Sequence, residues 1–155
     1  MFLKLHSLIR TDGNLAGERL PYLSGEGLDA YSMMWSAARR AQFTPNTRST
    51  ALNCLIPMRL WSVISGVNVE REMVFGSCLS HEQVEDMLYY IGLKRKDLAT
   101  LTIARPADLN RFLSACEPVS AGTENLRRIY INNYLMWLGS YGNLVLQKPG
   151  KLLTI

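Results

Sequence analysis

Apolar residues recur along this chain with two different periods. Near the start they alternate loosely: Phe2, Leu3, Leu5 and Leu8 are separated by Lys4, His6 and Ser7, the rhythm of a strand. Asp12-Gly13 is a turn pair that favours positive φ. Leu20–Leu23 follows as a second extended segment, which Pro21 confines to an edge. Residues 1–24 therefore read as a small β-hairpin or extended arm. From 28 onward the period lengthens. Leu28, Tyr31, Met34 with Trp35, and Ala38 repeat at helical spacing over residues 28–42, and Arg39-Arg40 complements a helix C-terminus. A longer helix should begin at Thr44-Pro45 or Asn46-Thr47 and run to Ser65-Gly66, on a stripe of Leu52, Leu55, Ile56, Leu60, Val63 and Ile64. Pro57 lies inside it. A mid-helix proline costs about 3 kcal/mol unless the helix yields, so a bend near Asn53-Cys54 or a two-piece helix is expected.

The second half is punctuated by caps. Ser80 and Gln83 form a capping box, Val84, Met87, Leu88 and Ile91 make the apolar face, and Gly92 stops the helix. Residues 94–97 (KRKD) read as a charged loop, and residues 107–116 hold a short helix through Leu109, Phe112, Leu113 and Cys116. A final long helix is expected from Ser120 to about Ser140, apolar at Leu126, Tyr130, Ile131, Tyr134, Leu135, Trp137 and Leu138, with Gly142 ending it. Residues 143–155 read as an extended tail or a truncated linker. The sum is a small, mainly α bundle with an N-terminal arm.

Charge adds one thing to this picture. The 155 residues carry a net charge of +4, which permits a polyanionic partner without requiring one. Its distribution is uneven. Between Ser36 and Val69 stand Arg39, Arg40, Arg48 and Arg59 with no acid, and after Thr123 only Glu124 opposes Arg127, Arg128, Lys148 and Lys151. Cys54, Cys78 and Cys116 are odd in number and lack C-x-x-C spacing, so neither a disulfide framework nor a zinc site is expected. No signal peptide or membrane-spanning stretch is read from the chain, and a cytoplasmic setting is the default expectation.

Enzymatic machinery is hard to assemble from these residues. His6 and His81 stand in the arm and in a first helical turn, remote from any nucleophile–acid set. Glu82, Glu85 and Asp86 fall opposite the apolar face of their helix, where solvated charges normally lie. The glycines at 25–27 and 139–142 lack the strand–loop–helix context of a phosphate cradle. Trp35, Trp61 and Trp137 read as core. A tyrosine nucleophile would need arginine and histidine partners, and none follow Tyr141. No catalytic residue, metal, cofactor or small-molecule substrate is therefore expected.

The basic helix starts remain. Thr44–Arg59 presents Asn46, Thr47, Arg48, Thr50 and Asn53, while Ser120–Arg128 presents Thr123, Asn125, Arg127 and Arg128. Hydroxyls, amides and free N–H groups at a helix start suit phosphate oxygens, and the following turn can reach base edges. Capping residues and ordinary surface arginines have the same composition.

The order of these segments resembles tyrosine recombinases of the phage-integrase family. Residues 17–21 (GERLP) are similar to the arm motif before the core-binding domain, and 46–61 to that domain's first helix. Residues 67–71, 79–88 and 120–138 are similar to its later blocks. The resemblance implies an N-terminal arm (1–26), a SAM-like core-binding bundle of four to five helices (27–142) and a tail (143–155). It implies a role in gripping double-stranded DNA, with other recombinase protomers as further partners and without a catalytic domain in this chain. Arg39, Arg40, Arg48, Arg127 and Arg128 would neutralise phosphates, and Thr47, Asn53, Thr123 and Asn125 would position or read. Pro57 and the wet centre of the last helix depart from the family pattern. The competing expectation is a helical protein–protein interaction module.

Overall fold

Two strands open the chain in the computed structural model, which describes residues 4–9, 11, 19–24 and 29–146. β1 (Lys4–Ile9) and β2 (Arg19–Ser24) pair antiparallel, in register from Lys4↔Ser24 to Ile9↔Arg19. Pro21 sits opposite Ser7, and the His6 and Tyr22 rings stack with centroids 5.2 Å apart. The Asp12-Gly13 turn lies outside the described residues. Two compact units make up the chain, Met1–Ile56 and Pro57–Ile155. The division falls inside a helix.

In the first unit Asp29 ties hairpin to helix. Its backbone N–H donates to the Leu23 carbonyl (3.1 Å), and its carboxylate accepts from the Ser32 N–H, capping α1 (Ala30–Ala38). The helix is shorter than the expected 28–42 because Arg39 already serves as its C-cap. Trp35 is fully buried and meets Phe43 edge to face, at 6.0 Å between centroids. Each such side chain contributes roughly 1.5–3 kcal/mol on leaving water.

α2 (Pro45–Ser65) runs unbroken through Pro57, so the expected two-piece helix does not occur. Asn53, whose carbonyl loses its donor to Pro57, occupies an exposed position, while Cys54, Leu55, Ile56, Met58, Leu60 and Trp61 are buried around it. Burial on this scale outweighs a defect of about 3 kcal/mol. Gly66 ends the helix at φ +74°, a conformation that favours glycine.

The second unit adds α3 (Val69–Phe75), capped by Asn68, and α4 (His81–Ile91). The capping box of α4 is formed as expected: the Gln83 N–H donates to Ser80 Oγ (3.1 Å) and the Ser80 N–H to Gln83 Oε1 (2.9 Å). α3 went unrecognised because one buried pair, Val69 and Val74, is too short a pattern to set a period. The expected loop at 94–97 is instead the start of α5 (Arg95–Thr102), which buries Leu98 and Leu101. A 3-10 turn (Pro106–Asp108) leads into α6 (Leu109–Ser114), and α7 (Ala121–Leu146) closes the described chain. α7 passes Gly142, where an end was expected. A glycine costs about 1 kcal/mol inside a helix, too little to stop one whose Leu138 is buried. Seven α-helices thus stand among the described residues, against the four to five expected. None of them is long and apolar enough alone to cross a membrane.

α7 packs on α3 and α4. At its centre Arg59, Glu70 and Tyr134 close a buried network. Arg59 pairs with Glu70 and donates to Tyr134 Oη (3.1 Å), and Tyr134 donates to Glu70 Oε1 (2.8 Å). Asp86 accepts the Trp61 indole N–H at 2.9 Å. It therefore holds α4 to α2 rather than serving only as a solvated charge.

Candidate nucleic-acid interface

The start of α2 is a hydroxyl cap. The Thr47 N–H donates to Thr44 Oγ1 (3.2 Å), the two threonine hydroxyls are 2.9 Å apart, and Pro45 supplies the first helical φ. Asn46, Thr50 and Asn53 are exposed and Thr47 is half-buried. Ser7, Pro21, Pro45, Asn46 and Ser49 line a recess of about 120 Å³ between the hairpin and this helix start. Arg40 is exposed, and Arg39 turns to Gln42 Oε1 at 3.3 Å.

Arg48 is a correction. Expected on the surface, it is 2% exposed, and a side chain so enclosed cannot neutralise a phosphate. Its position explains this. Arg48, Leu52, Leu55 and Arg59 follow one another at intervals of four, three and four, a single helical face, and all are buried.

The start of α7 repeats the cap with different residues. The Thr123 N–H donates to Ser120 Oγ (3.2 Å), and the Ser120 hydroxyl donates to Thr123 Oγ1 (3.0 Å). Thr123 and Asn125 are exposed, and Ala121, Glu124, Asn125 and Arg128 line an open cleft of about 280 Å³. Arg127 is the second correction. It heads the buried series Ile131, Tyr134 and Leu138 at the same four–three–four intervals, and its Nη1 donates to the carbonyls of Ile91 and Leu93, both at 2.8 Å. Those are orphan acceptors at the C-terminus of α4, where a cation also meets the negative end of the helix dipole. Arg127 is a cap, already committed. Arg128, one residue on, is exposed and pairs with Glu124 at 2.9 Å.

A group missed at the sequence level joins this second start. Leu93 and Pro118 form an isolated antiparallel bridge, with the Lys94 N–H on the Glu117 carbonyl and the Val119 N–H on the Gly92 carbonyl, each at 2.9 Å. The bridge sets Lys94 opposite Glu117 and Gly92 opposite Val119, with Lys94, Arg95 and Lys96 exposed where α5 begins. Read as a loop, these cations had no fixed place. The signal for the helix was the Leu98–Leu101 pair beyond them. Cations at a helix N-terminus oppose its dipole, and local acids offset part of that cost. The Asp97 carboxylate accepts the Glu117 N–H (2.9 Å), and Glu117 pairs with Lys94. The hydrogen bond from Lys94 holds the Glu117 carboxyl below its ordinary range and raises Lys94 above its own. With Glu124 on Arg128, four cations here face three carboxylates.

Elsewhere the chemistry is quiet. Burial raises the Cys116 thiol, the reverse of what a nucleophilic thiol needs, and its Sγ donates to the Phe112 carbonyl at 3.3 Å. Cys54 is buried, as expected of a small apolar group. His81 is exposed and lies 3.0 Å from Glu85. Among the described residues no cluster of His, Cys, Asp and Glu is placed to hold a metal ion.

No protein-family model matches the chain, and neither a curated protein nor a solved structure does.

Proposed function

We propose that this chain is a DNA-binding domain of the SAM-like, core-binding type found in tyrosine recombinases, gripping duplex DNA without cutting it. The observation that carries the reading is the junction of α5 and α7. There a backbone bridge joins the segments that lead into the two helices, with Lys94, Arg95 and Lys96 exposed at the start of α5 and Arg128 exposed on α7. Such an arrangement suits the phosphate backbone, which takes most protein–DNA hydrogen bonds and sets register. Thr123 and Asn125, exposed on the first turn of α7, reach the same partner. Within the first unit, the hydroxyl-capped start of α2 presents the same kind of chemistry, with Asn46, Thr50 and Asn53 exposed and Arg40 one loop away. Arg48 and Arg127 leave the contact set for the packing roles described above, and Arg39 stays beside Gln42. The order of segments along the chain supports the recombinase reading.

The test is duplex binding as a function of salt. Each phosphate contact contributes about 0.9 to the slope of log K against log salt. The double variant K96E/R128E should therefore flatten that slope by about two while leaving the thermal transition in place. An unchanged slope, or no duplex binding by the wild type at low ionic strength, overturns the reading.

A further inference from the structure

Two of the cations at the α5–α7 junction already hold an anion. Lys94 pairs with Glu117, and Arg128 pairs with Glu124 at 2.9 Å. Backbone geometry fixes each carboxylate in place. The Lys94 N–H donates to the Glu117 carbonyl, and the Glu117 N–H donates to Asp97 Oδ2, both at 2.9 Å. The two side chains of the first pair therefore leave neighbouring points of one bridge. Glu124 stands one turn before Arg128 on α7, a spacing that sets opposite charges side by side. Its carboxylate also rests against Gly92, so close that a Cβ added there would stand 3.3 Å from Oε1.

A phosphate that takes either cation has to open its pair first. Exposed pairs of this kind are weak, so opening one lowers affinity by about two- to fivefold rather than abolishing it. The phosphate contribution to DNA affinity is independent of sequence. Pairs of this kind therefore weaken the grip on every duplex alike, and they leave untouched whatever reads the bases.

We propose that Glu117 and Glu124 act as an autoinhibitory pair, each holding one cation of the junction in an internal contact that a phosphate backbone must displace. This rests on the reading of the junction as a DNA contact. The experiment measures binding of the full chain to a mixed-sequence duplex at low ionic strength. Glu117→Gln and Glu124→Gln keep the side-chain shape and remove the charge. Each should tighten binding about two- to fivefold with unchanged melting, and the double variant more. Glu117→Gln should lose most of that gain in a Lys94→Met background, and Glu124→Gln in an Arg128→Met background, because each carboxylate acts through its cation. Glu82→Gln is the control. Glu82 is exposed in the first turn of α4, about 15 Å along that helix from Gly92, and its loss should leave affinity unchanged. A wild type that binds, with neither glutamine variant tighter, overturns this proposal and leaves the DNA reading standing. So does equal tightening with Lys94 and Arg128 absent, or by Glu82→Gln, since either would reveal plain charge repulsion. Binding by the double glutamine variant alone upholds the inhibition and removes the reading of the native chain. Binding by neither overturns both.

Discussion

α2 and α7 are the two long helices of this protein, and they use the same parts to different ends. Each opens on a hydroxyl cap three residues long, Thr44 to Thr47 and Ser120 to Thr123. Each also carries an arginine at the head of a buried face spaced four, three and four. Beyond that they diverge. From Ala51 to Trp61 every residue of α2 except Asn53 is buried, whereas among the described side chains of α7 only Ile131, Tyr134 and Leu138 are buried, and Leu126, Ile129 and Met136 are exposed. The comparison teaches that an apolar residue at helical spacing declares a packing face without saying which partner fills it. α2 finds its partner within the chain. α7 is the less enclosed of the two among the described residues.

The largest effect that would test this contrast is in the core of α2. Trp61→Ala should cost about 3–5 kcal/mol in chemical denaturation, chiefly from the cavity it leaves. Met136→Ala on the outer side of α7 should stay within about 0.5 kcal/mol under monomeric conditions. Similar losses at both positions would erase the distinction between enclosed and open helices.

The buried network where α2 and α7 meet sharpens it further. Glu70→Ala leaves the Arg59 guanidinium without its carboxylate at a site where the side chains are only 10% and 12% exposed. A loss of about 3–5 kcal/mol is expected, and Arg59→Met combined with Glu70→Leu should recover much of it. A double variant no better than the single one would mean that the network contributes through Tyr134 rather than the ion pair.

The smallest effect lies at the α5–α7 junction. Because Lys94 depresses the Glu117 carboxyl, folding favours its charged form. That contribution is present above the ordinary glutamate range and is lost as pH falls through the lowered value. The pair is exposed, so its weight in stability is slight. The clean measurement is the carboxyl titration by NMR. Lys94→Met should return Glu117 to ordinary behaviour, and a titration unmoved by that change would assign the shift to another neighbour.

Much of the fold was legible in local pattern. The capping box at Ser80, the extent of α2, the two arm strands and the burial of Trp35, Trp61 and Cys54 all follow from periodicities and caps within a few residues of chain. The candidate site was legible only in part. Thr123, Asn125 and Arg128 stand exposed as expected, while Arg48 and Arg127 are spent inside. Their spacing with Leu52 and Ile131 already carried that information, but an arginine's charge argued more loudly for the surface than its register did for the interior.

Local chemistry, then, was enough to place the starts of α2, α4 and α7 and to read two extended segments in the arm, because caps, turns and periodicity act over one or two turns of chain. Tertiary structure alone decided that Lys94 meets Glu117, that Arg127 closes the end of α4, and that Asp86 belongs to Trp61. Each depends on a backbone bridge or a buried acceptor supplied by residues distant in sequence. A guanidinium follows the unpaired carbonyl or carboxylate it can reach, and only the folded chain determines which one that is.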